Sequence, residues 1–216
     1  MISASALAAA ALLVALPAAG SGPNPVTAGP GPHAVAAADP GPDAVALALA
    51  DPGPNAVTVA DSFRTRAGGA AVTYAPDAVP GGARVRVSEH PAHKGGTRFT
   101  LRVDGLPAGR TYGAHVHREA CGPKPEDAGP HYQNVKDPVQ PSVDPAYANP
   151  RNEVWLDLTT DDRGTGRAEA TVAWRVRPGE ARSVVLHEHA TETHAGRAGT
   201  AGARLACVTV PFGTAR

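Results

Sequence analysis

Residues 97–106 read TRFTLRVDGL, and the alternation within them decides the fold class. Phe99, Leu101 and Val103 fall on one side of an extended chain and Arg98, Thr100 and Arg102 on the other, as a strand with one buried and one wet face requires. The same texture recurs in AVTYA (71–75), ARVRVSEH (83–90), TYGAHVH (111–117), VWLDLTTD (154–161), GRAEATVAWRV (166–176), RSVVLHEH (182–189) and ARLACVTV (203–210), each bounded by turn residues. Eight candidate strands of this kind predict an all-β sandwich or closed barrel. Composition agrees: 24 Gly and 22 Pro against four Tyr, three Phe and two Trp suit short strands joined by turns better than a helical bundle.

A chain of 216 residues holds one ordinary domain with an appendage. Lys and Arg total 20 and Asp and Glu total 20, so no basic field exists to hold nucleic acid or an anionic membrane surface. Residues 1–22, MISASALAAAALLVALPAAGSG, form an apolar run too short and alanine-rich for a membrane span, followed by small residues at Ala18 to Gly20. This predicts a signal peptide and a secreted or extracytoplasmic protein whose mature domain does not enter the membrane. An uncleaved anchor is the alternative, because no Lys or Arg precedes the run. Residues 23–68 repeat a short theme, GPGPHAVAAAD, DPGPDAVALALAD, DPGPNAVTVAD, in which Pro and Gly interrupt every unit, and they read as a flexible linker with His33 solvated. The domain is then expected over 69–216. The sequence sets no oligomeric state.

In GAHVHREAC, His115 and His117 lie two apart on a predicted strand, so their imidazoles project from one face and can converge on one ion. For an isolated H-x-H, two solvent-facing histidines are the commoner outcome. Cys121 and Cys207 are an even pair in a chain expected to be exported, for which a disulfide is the simple reading and two buried thiols the alternative. Residues 121–152 lack alternation, are rich in proline and are long for a loop, and long loops in compact domains are often functional.

Three further runs change the weight of the histidine pair. AGPHYQN places His131 after the first cysteine, VVLHEH places His187 near a strand end, and GTAGARLACVTV carries Arg204 and Cys207. In order and spacing, these with GAHVH resemble the copper/zinc superoxide dismutase family over about Ala71 to Phe212. The resemblance implies an eight-stranded Greek-key sandwich or barrel. It also implies copper ligation by His115, His117, His131 and His187, a Cys121–Cys207 disulfide, and Arg204 as guide for the superoxide anion. Imidazole nitrogen suits copper, and a guanidinium stays charged at neutral pH.

The departures are as informative. In the family the G-P-H histidine bridges copper and zinc, and the following loop supplies two more histidines and an aspartate to the zinc. Here no histidine lies between His131 and His187; Asp137, Asp144 and Asp157 remain, and Asp157 reads as an exposed strand position. Copper without zinc is therefore expected, as in the copper-only members that the arrangement resembles. The stretch after His187, EHATETHAGRAGTAGA, is shorter than the family's charged loop, which should leave the copper more open. Glu188 or Glu192 is expected to hydrogen-bond a ligand imidazole. His189 is the candidate auxiliary ligand, while His90, His93 and His194 read as loop histidines. The rival reading is a non-catalytic copper-binding or structural domain on the same fold.

Overall fold

The structure is a computed structural model, and it describes residues 56–66 and 68–214. The expected signal peptide and most of the expected linker lie outside the described residues. Among the described residues ten strands form: β1 (Val57–Ser62), β2 (Ala71–Thr73), β3 (Arg84–Pro91), β4 (Thr97–Asp104), β5 (Thr111–Tyr112), β6 (Ala114–His117), β7 (Leu158–Thr159), β8 (Gly166–Val172), β9 (Ser183–His187) and β10 (Arg204–Thr209). They build two four-stranded sheets, β1-β3-β4-β8 and β2-β10-β9-β6, and a β5-β7 ribbon. The all-β sandwich follows from the alternation. β4 lies at its centre, paired in antiparallel register with β3 through Leu101↔Val87 and with β8 through Leu101↔Ala168.

Inward positions of both sheets close one core. Val85 and Val87, Phe99, Leu101 and Val103 come from the first sheet, and Ala114, Val116, Val184, Leu186, Ala206 and Val208 from the second. Removing such aliphatic side chains from water supplies about 25 cal/mol per Å² of apolar surface, which is why strict alternation fixes the register.

Two details depart from the alternation. β1 lies inside the stretch expected as linker: Val57 and Val59 pack on the core, and the strand pairs with β3 from Val57↔Glu89 to Ser62↔Arg84. The VWLDLTTD run keeps its buried face, Val154, Leu156 and Leu158, yet only Leu158–Thr159 is strand.

The outer face of the second sheet positions the site. Because Ala114 and Val116 point inward on β6, His115 and His117 point outward; because Val184 and Leu186 point inward on β9, His187 points outward. On that face Val72, Val185 and Cys207 form a small second cluster with Ala128, and Cys207 is disulfide-bonded to Cys121. No helix among the described residues is long and apolar enough to cross a membrane.

Candidate metal centre

β6 delivers two imidazoles to the outer face, β9 a third, and the loop after Cys121 the fourth. His131 is tied to the free edge of β6 by an antiparallel bridge to His117, with the Tyr132 N–H donating to the Val116 carbonyl. One ring nitrogen from each of His115, His117, His131 and His187 lies within 4.8 Å of the others. His115 and His117 are fully buried, His187 is 5% exposed, and the His131 side chain is 19% exposed, so the cluster meets solvent mainly beside His131.

Hydrogen bonds set the tautomers. His117 Nδ1–H donates to the Gly129 carbonyl at 2.9 Å, and His131 Nδ1–H donates to Glu153 Oε2 at 2.9 Å. In both rings Nε2 keeps its lone pair. His187 Nδ1 approaches the Gly202 carbonyl at 3.5 Å, and its Nε2 lies 3.4 Å from Nε2 of His117. His115 is turned the other way. Its Nε2 meets Thr191 Oγ1 at 2.6 Å, Thr191 Oγ1 donates to Asp157 Oδ1 at 2.7 Å, and Nδ1 is left buried without a partner. An acceptor nitrogen stranded in a dry interior is costly unless an ion takes it. Burial, reinforced by the neighbouring imidazoles and by Arg204, holds His115 and His117 well below the ordinary imidazole range and His187 at about 3. Neutral rings with unshared lone pairs are what a metal ion requires.

Arg204 reaches the site through an irregularity. Arg204 pairs with His187 and Ala206 with Leu186, so β10 carries one extra residue, a bulge at Leu205. Leu205 and Ala206 both enter the core, and Arg204, which unbroken alternation would bury beside Ala206, turns outward. Its guanidinium donates to the carbonyls of Pro125 at 3.0 Å and Gly129 at 2.8 Å. Gly129 therefore accepts from both His117 and Arg204. Burial lowers the Arg204 pKa, opposed by Glu126 and Tyr74, and a guanidinium stays charged nonetheless.

The acidic support lies elsewhere than expected. Glu188 accepts from the Ala203 N–H and lies 3.6 Å from His189, and Glu192 pairs with Arg197 and His194. β9 ends at His187, so alternation does not carry on to His189, whose side chain is 68% exposed. The partner of a cluster imidazole is Glu153, 1% exposed, which also accepts from Trp155 Nε1 at 2.7 Å and Gln133 Nε2 at 2.8 Å. Asp157, expected to be an exposed strand position, accepts from the Ala114 and Thr191 N–H groups and from the Thr191 hydroxyl. The signal for both was present in NEVWLDL: if Val154, Leu156 and Leu158 face the core, Glu153, Trp155 and Asp157 face the other way. Asp137 accepts from Val139 N–H and Ser142 Oγ, and Asp144 from Ala146 N–H.

Among solved structures, a double mutant of a SOD-like protein from Bacillus subtilis is similar at 18% identity, covering 59% of this chain and 88% of that one, with a TM-score of 0.46. The clock protein EA4 is similar at 20% identity, covering 73% and 93%, with a TM-score of 0.48. No curated protein matches the chain. The family model for copper/zinc superoxide dismutase (SODC) matches residues 82–210, more than half of the 216 residues and the span that holds all four histidines, both cysteines and Arg204. The chain belongs to the copper/zinc superoxide dismutase family.

Proposed function

We propose that this protein is an exported superoxide dismutase, converting superoxide to dioxygen and hydrogen peroxide at one copper ion held by His115, His117, His131 and His187, without zinc. The observation that carries the reading is the convergence of four imidazole nitrogens within 4.8 Å, with the other nitrogen of each ring turned toward an oxygen. The donor set fits the ion: the stranded Nδ1 of His115 gains a partner, and an all-imidazole site suits copper. Bound there, copper supplies a one-electron acceptor and donor by alternating between Cu(II) and Cu(I).

The chain's own residues do the rest. Arg204, fixed by two carbonyls, draws the superoxide anion to the exposed side of the cluster and orients it by charge and a forked donor. Thr191 with Asp157, Gly129 and Glu153 hold the ring planes and tautomers, so no ligand must reorient when the ion arrives. The absence of zinc is supported by Glu153, which occupies the Nδ1 that a bridging His131 would need, and by the turn hydrogen bonds of Asp137 and Asp144. Export is supported by the disulfide and by the apolar run of residues 1–22.

Counting copper and zinc per chain beside a dismutase assay tests the proposal. The expected result is equimolar copper, no stoichiometric zinc and copper-dependent activity. A copper-loaded but inactive protein would establish the non-catalytic copper-binding reading instead, and failure to bind copper would overturn both.

A further inference from the structure

A cavity of about 70 Å³ opens beside His131, walled by that ring together with Arg118, Gln133, Lys136, Asp137 and Gln140. Its lining is unlike the imidazole cluster. Arg118 directly follows His117, and its backbone is pinned by an N–H donated to the Pro130 carbonyl at 3.0 Å. Its side chain is not matched in the same way: among the described residues, the Arg118 Nε–H is buried and has no acceptor. A guanidinium has donors only and does not shed its proton to escape the problem. Arg118 as a whole is only partly buried, but a single buried N–H without a partner is costly, and it marks a place where an acceptor belongs.

The rest of the wall says what kind of acceptor. Asp137 is the one carboxylate in the lining, and its two oxygens already accept from the Val139 N–H at 2.8 Å and the Ser142 hydroxyl at 2.6 Å. Gln133 is committed too, its amide nitrogen to Glu153 and its amide oxygen to the Asp137 N–H. Neither is free to turn toward Arg118. Lys136 adds a second cation; it reaches Glu180 at 3.0 Å, a carboxylate it shares with Arg177. The wall thus presents two cations against one carboxylate whose acceptor capacity is partly used. The volume exceeds the roughly 30 Å³ share of one water and suits a few-atom ligand.

We propose that this cavity is a binding site for a small oxyanion, of the size of phosphate, bicarbonate or formate, held by the Arg118 fork with Lys136 and distinct from the superoxide guide at Arg204. Forked guanidinium donors match a planar or tetrahedral oxyanion two bonds at a time, which a water or a halide cannot do. The site does not depend on copper.

Inorganic phosphate is the first probe, titrated into full-length protein without metal and again with copper loaded, against chloride at equal ionic strength. In the metal-free protein the Arg118 Nε–H resonance is followed directly; in both forms the melting temperature is followed. The expected result is a saturable shift of that resonance and a rise in melting temperature with phosphate but not with chloride. Arg118→Gln should weaken phosphate affinity by about tenfold or more, the loss of a charge-assisted contact, while Arg204→Gln leaves it unchanged. Formate and bicarbonate titrated in parallel identify which oxyanion fits best. If Arg118→Gln does not fold, Lys136→Gln must weaken phosphate several-fold for the proposal to stand. No saturable response to any of the three anions means that water alone fills the cavity and overturns the proposal. So does binding that survives Arg118→Gln but is lost in Arg204→Gln. Since the metal-free arm needs neither copper nor activity, a failed dismutase assay leaves this test intact.

Discussion

His131 is the most exposed member of the cluster, and its orientation rests on one buried acid, Glu153, at 2.9 Å. Glu153→Gln keeps an oxygen for the Nδ1–H to donate to but removes the charge that makes the ring a stronger ligand. Copper affinity should fall roughly ten- to a hundredfold, the range for partners of metal-bound histidines, as measured by competition with a chelator. His115→Ala, by contrast, removes the nitrogen that has no other partner, and tight copper binding should disappear. Arg204→Ala touches no proposed ligand. It should leave copper content unchanged while lowering kcat/KM by roughly tenfold or more and flattening its dependence on ionic strength, because steering of an anion is lost. Equal kcat/KM in wild type and variant would remove Arg204 from the reaction.

At the scale of elements, the strands were legible because burial imposes a period of two, and each alternating run contains strand or bridged backbone at its expected place. β1 was hidden since all but the last of its residues, VTVADS, end the last of three Pro/Gly-punctuated units, and local composition carries no sign of the β3 edge that receives Val57–Ser62. The four histidines were legible through family motifs and Glu153 through the alternation of NEVWLDL, but Thr191 and Arg118 were not, since what they face is brought to them by loops without periodicity. The family motif singled out Arg204, while its outward turn depends on a bulge that alternation does not announce. Loop packing also gives a prediction. Gly113, between β5 and β6, would place a Cβ 2.5 Å from the His189 carbonyl and 2.7 Å from Ala201 Cβ. Gly113→Ala must push away the loop that carries Thr191, so the variant should melt lower and bind copper several-fold more weakly without losing a ligand. Unchanged values in both measurements would show that the loop repacks freely.

For the whole molecule, the Cys121–Cys207 bond closes a loop of 86 residues, which removes about 4 to 5 kcal/mol of chain entropy from the unfolded state. Reduction, or the double Cys→Ser variant, should lower stability by a few kcal/mol in denaturant titrations and reduce activity as well, since Pro125 and Gly129, which hold Arg204, lie in the loop that this bond anchors. Stability also depends on pH through Glu89, 4% exposed on β3, where burial raises its carboxyl pKa against the opposing Gly213 N–H. A raised folded pKa means that the folded state binds the proton more tightly. The contribution is present below the unfolded pKa and is lost as pH climbs through the folded one. Glu89→Gln should therefore melt higher than wild type at neutral pH, and the difference should shrink in acid; a gap independent of pH would exclude this origin. Gly129 carries a last consequence. Its φ of 69° is left-handed, a region open chiefly to glycine, and a Cβ there would meet Glu119 Cγ at 2.9 Å. One carbonyl aims both the His117 ring and the Arg204 guanidinium, so under the proposed function replacement of this glycine cannot trade affinity for speed: metal retention and anion capture would be a single inherited trait, lost together when that peptide turns.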